Sequence, residues 1–172
     1  MGYLVSSIFS VKSNDKHSYF IYFIPGNNPY RNLSSNWIND WVYDNFNKIA
    51  ISAGPEGVVI LNSSKEDRHE CYEWPFMDTS DEEDDILHRP FPFLLVSQTP
   101  LMKNVKPNGI AINLIQSNDK NDLAKIFDNI IKGIKKDNWE YILESFPEQL
   151  ICYPYFRQVP LKITQPFDIL AS

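Results

Sequence analysis

The spacing of apolar residues predicts an α/β domain: a strand-helix-strand unit, then two strands and a second long helix, with an extra strand at the N-terminus and a proline-rich tail. Three observations carry this. Apolar runs at 19–24 and 58–61 flank a stretch of helical period. Two more runs, at 91–96 and 110–114, precede the clearest amphipathic stripe in the chain. Pro147, Pro154, Pro160 and Pro166 then punctuate everything that follows.

Residues 3–11 and 18–24 are rich in β-branched and aromatic side chains, and Ser13, Asn14, Asp15 and Lys16 separate them, so they read as two strands with a polar turn. The second shows no polar alternation, as expected of a strand covered on both faces. Pro25, Gly26, Asn27, Asn28 and Pro29 end it. Trp37, Ile38, Trp41, Val42, Phe46 and Ile49 then recur at helical steps, with Ser34 or Ser35 as N-cap. Gly54, Pro55 and Gly57 stop that helix, and Val58 to Leu61 follow as a buried strand. Strands joined this way are expected to lie parallel.

Arg68 to Trp74 has the alternation of an extra strand inside an otherwise irregular stretch, 63–90. Phe91 to Val96 and Ile110 to Leu114 suggest a hairpin. Leu123, Ile126, Phe127, Ile130, Ile131 and Ile134 place one apolar stripe along a helix, with Lys120, Asp122, Lys125, Asp128 and Lys132 on its other face. Ser117, Asn118 or Asp119 caps its start, and Lys132, Lys135 and Lys136 offset the dipole at its end. A shorter helix carrying Trp139, Ile142, Leu143 and Phe146 follows, closed by Pro147. The tail is expected to run extended, with one edge strand.

The chain has 172 residues and is expected to form one domain over 1–172, large enough to build a core without disulfides or a structural metal. Its longest apolar run, Tyr19 to Pro25, is about a third of the ~20 residues that cross a bilayer. Met1 to Val11 carries neither a basic leader region nor a cleavage signature, so a cytoplasmic protein is expected. Cys71 and Cys152 have neither redox nor zinc spacing and are expected to be reduced.

The formal net charge is −6, and it is local. Asp78, Asp81, Glu82, Glu83, Asp84 and Asp85 fall within eight residues, and without them the acids equal the bases in number. No basic stripe remains to displace counterions from a phosphate backbone, which argues against nucleic acid as a direct ligand.

The order of elements over about 18–136 resembles the thioredoxin-like fold, in which a cis-proline precedes the first hairpin strand. Pro92 takes that place ahead of Phe93, Leu94, Leu95 and Val96. The resemblance implies a site at the head of the first helix, where thioredoxins carry Cys-x-x-Cys. Here the stretch from Pro25 to Ser35 contains no cysteine, so the thiol chemistry is absent from that position. The alternative is a ferredoxin-like α+β sandwich, with the same two helices on one face of an antiparallel sheet.

Each of the remaining candidate chemistries has a plainer reading. His69 and Cys71 share a strand face, yet no second pair completes a tetrahedron with His17 or His88. Cys152, between Ile151 and Tyr153, lacks a glycine-rich elbow or helix start to activate it beside a histidine. Gly54 to Gly57 precedes a strand and contains Glu56, so it reads as a turn and not a phosphate loop. The acidic run lacks EF-hand spacing. No catalytic residue, cofactor or metal is predicted.

The acidic loop, about 75–90, is expected to be solvated and mobile by self-repulsion. It also has the composition of a docking element: Trp74, Phe76 and Met77 supply anchors beside the charged rim Asp81, Glu82, Glu83, Asp84 and Asp85. Tyr30, Trp37 and Trp41 are candidates to extend that patch, with a core role as the plainer reading. The expected function is therefore a non-catalytic protein-binding module. Its type would be an adaptor or a toxin-neutralising immunity protein or antitoxin, as in bacterial defence systems, with a basic protein partner and no membrane. The alternative is an enzyme or small-ligand domain built on a dispersed Cys/His site.

Overall fold

Tyr19 to Ile24 are all aromatic or β-branched, and all are buried, which makes this stretch a strand with both faces covered. In the computed structural model, which describes residues 1–5, 10–12, 15–25, 36–62, 92–102, 109–114, 117–146, 151–152 and 157–159, it is the third strand of a mixed sheet. In chain order the elements are β1 (Gly2–Val5), β2 (Tyr19–Ile24), α1 (Asn36–Ala53), β3 (Gly57–Asn62), β4 (Phe93–Ser97) and β5 (Gly109–Asn113). Then come α2 (Lys120–Lys135), α3 (Trp139–Ser145), β6 (Ile151–Cys152) and β7 (Arg157–Val159). The sheet order is β1-β3-β2-β4-β5-β7-β6.

β3 runs parallel to both β1 and β2, with Tyr3 and Tyr22 each level with Ile60. The first two strands are therefore not neighbours, although they follow one another in sequence; β1 ends at Val5, short of the strand expected over 3–11, and Val11 packs on the sheet instead of continuing it. β3, brought back by α1, lies between β1 and β2. β2 pairs antiparallel with β4, and β4 with β5, so the expected hairpin is present. The parallel β1-β3-β2 set corrects the wholly antiparallel sheet of the sandwich alternative. The tail adds two short strands: β7 parallel to β5, and β6 antiparallel to β7.

Strand alternation splits the core into two layers. Tyr19, Ile21 and Phe23 face α1 and α2, where they meet Val42, Ile49, Phe127 and Ile130. Phe20, Tyr22 and Ile24 face the other way, with Val58, Ile60 and Leu95 beside them and Val11 and Leu101 packed on. All six positions of the α2 stripe are buried, and each such side chain stabilises the fold by about 1.5–3 kcal/mol through its burial. Asp119 is the N-cap that forms: its Oδ1 accepts from Asn121 N at 2.9 Å and Asp122 N at 3.0 Å, while Asp122 Oδ2 accepts from Asn118 N at 2.9 Å.

The polar face of α2 departs from expectation. Asp128 and Asn129 are fully buried, because α2 is covered on more than its apolar stripe. Gly133 shows part of the reason: a Cβ there would sit 2.2 Å from Ile142 Cγ1, so α3 packs against bare backbone. α1 ends with Gly54 at φ +70, in the left-handed region open to glycine, and the turn through Glu56 returns the chain into β3.

Candidate functional site

The parallel strands β1, β3 and β2 all point to one end of the sheet and stop there at Val5, Asn62 and Ile24. Antiparallel β4 starts at that end, with Phe93 opposite Ile24, and β5 finishes there, with Asn113 opposite Phe93. The long helices α1 and α2, which follow β2 and β5, have their N-termini toward it. Pro25 and Pro92, both buried, come next in the β2–β4 register, and Pro92 O accepts a hydrogen bond from Leu114 N at 2.9 Å. The flanks of 63–91 are thus gathered at this end, since Asn62 precedes that segment and Pro92 follows it.

The predicted anchors and charges, Trp74, Phe76, Met77, Asp81, Glu82, Glu83, Asp84 and Asp85, lie outside the described residues, as do Tyr30, His69, Cys71, His88 and the strand expected at Arg68–Trp74. Trp37 and Trp41, the candidates to extend that patch, are among the described residues. Trp41 packs its ring on Phe127, with centroids 5.8 Å apart, and Trp37 is partly buried against the core, so both take the plainer role. The basic group at the end of α2 is also engaged locally. Lys132 Nζ lies 3.0 Å from Asp128 Oδ2, and Lys136 Nζ sits 4.1 Å over the Tyr141 ring.

A second polar arrangement was not legible in sequence. On the sheet face opposite the helices, Tyr3 OH donates to Asp15 Oδ2 at 3.1 Å, and His17 N donates to Asp15 Oδ1 at 3.0 Å. His17 Nδ1 also contacts Asp15 Oδ1. The His17 ring meets Tyr3 and Phe20 edge to face, at centroid distances of 6.1 and 6.5 Å. Burial raises the Asp15 carboxyl, but the hydrogen bonds and charge of His17 and the Tyr3 hydroxyl together outweigh it and hold the group below its ordinary range. The Tyr3 phenol is pushed up, by burial first and then by Asp15.

A carboxylate on one ring nitrogen is how many general bases are oriented, yet a base needs a nucleophile or substrate beside it. Cys152, the candidate thiol, belongs to β6, which stands four places from β2 in the strand order. Among the described residues no group of three or more His, Cys, Asp or Glu is arranged to hold a metal ion. The Tyr3–Asp15–His17 contacts fasten the edge strand β1 to the segment entering β2.

The Gly54–Gly57 segment forms the expected turn. Glu56 O accepts from Ser18 N and Tyr19 N, both at 3.0 Å, and Glu56 Oε2 accepts from the Ser18 hydroxyl at 2.9 Å, which pins the start of β2 beside the start of β3. Among the described residues no helix is long and apolar enough to cross a membrane. No protein-family model, no curated protein and no solved structure matches this chain.

Proposed function

We propose that this chain is a non-catalytic protein-binding module, of the adaptor or toxin-neutralising immunity type, which docks a partner with a basic surface through the 75–90 segment and its aromatic flank. The observation that carries the reading is the position of the segment's flanks. Asn62 and Pro92 stand at the end where the parallel strands stop, and ligand sites of open α/β sheets gather at that end. The helix N-termini there add partial positive charge, which favours acidic residues nearby. Six acids within eight residues would then steer a basic partner and set its orientation. Trp74, Phe76 and Met77 would supply the desolvated centre.

The same reading takes the fold as thioredoxin-like without the thiol pair. Its support is the strand order β1-β3-β2-β4-β5, the antiparallel β4–β5 pair followed by α2, and Pro92 directly ahead of β4. The site would then keep the fold's usual location while exchanging redox chemistry for charge and aromatic surface.

The test replaces Asp81, Glu82, Glu83, Asp84 and Asp85 by Ser and Asn, with circular dichroism confirming that the variant folds. Proteins captured by the wild type are identified, and the purified partner is titrated against both forms. The reading expects affinity to fall at least about tenfold, mainly through a slower on-rate. Equal affinity of the two forms, or a partner that engages the opposite end of the sheet, would overturn it.

A further inference from the structure

We draw no further inference here: the strongest candidate, the exposed apolar side chains Met1, Leu4 and Ile51 along the edge strand β1 and the last turns of α1, has nothing in the structure to show what covers it.

Discussion

The Tyr19 hydroxyl donates to Asp137 Oδ1 at 2.9 Å, joining the first residue of the central strand to the turn between α2 and α3. Asp137 has φ +47, the conformation in which glycine usually ends a helix. Two backbone bonds complete that ending: Asp137 N donates to Ile134 O at 3.0 Å, and Asn138 N to Gly133 O at 2.9 Å. Asn138 then caps α3, its Oδ1 accepting from Tyr141 N at 3.0 Å. One short turn therefore closes a helix, opens the next and is anchored to β2 by a tyrosine.

Asp137→Ala is expected to cost about 1–2 kcal/mol, because it removes the hydrogen bond and keeps a side chain in the left-handed region. Asp137→Gly should be milder, since glycine adopts that conformation freely. Urea unfolding of both variants checks the ranking. Equal or reversed values would show that the backbone conformation contributes nothing there.

Burial first, then the Asp137 carboxylate and the more distant Glu56, push the Tyr19 phenol up to about 12 from an ordinary value of 10.0. The folded state therefore favours the protonated phenol. This contribution is whole below the ordinary value and is lost as pH rises through about 12. Stability measured from pH 9 to about 12 should fall less steeply for Tyr19→Phe than for the wild type.

The Asp15 carboxyl has the opposite sign. Held below its ordinary value of 3.8, it stabilises the fold above that pH and ceases to do so as pH falls through its lower folded value. Asp15→Ala should cost about 1–3 kcal/mol near neutrality by leaving Tyr3 and His17 without their acceptor. The acid limb of the stability profile should flatten. Hydrogen exchange should quicken first at the β1 amides, and uniform quickening across the sheet would contradict the role of this contact in fastening β1.

Gly133→Ala is expected to destabilise by about 1–3 kcal/mol through overlap with Ile142. Adding Ile142→Ala should make the two costs less than additive, because the second change removes the atoms that the first one meets. A double-mutant cycle by thermal or urea unfolding reads this coupling. Strict additivity would place the strain elsewhere.

Asn129 is fully buried, and its Nδ2 donates to Lys125 O at 2.9 Å while its Oδ1 has no hydrogen-bond partner among the described residues. An unsatisfied buried acceptor costs about 1–3 kcal/mol, so Asn129→Leu, which keeps the branched shape without the polar atoms, is expected to leave stability unchanged or raise it. A lower Tm for the variant would show that this acceptor is satisfied in solution, for instance by an ordered water.

Much of the architecture was readable from spacing alone. The 3,1,3,1,3 step of Leu123 to Ile134 is the buried stripe of α2, and the unbroken run Tyr19 to Ile24 is the covered strand, because side-chain direction follows directly from helical and extended geometry. Asp119 was one of three N-caps that the sequence allowed, and backbone donors selected it. The proposed docking site is legible only as composition, a clustered charge beside aromatics, which does not say where the flanks of that segment come together.

Folding in three dimensions settled which distant residues became neighbours. Nothing local requires β3 to enter between β1 and β2, Asp15 to join Tyr3 with His17, or Tyr19 to find Asp137 at 118 residues' separation. Nor does helical period reveal that Asp128 and Asn129 will be buried, since a period names the apolar face and leaves open how many sides of a helix become covered. Periodicity is a property of short stretches, whereas strand order and burial depend on the packing of the whole chain around its most apolar strand.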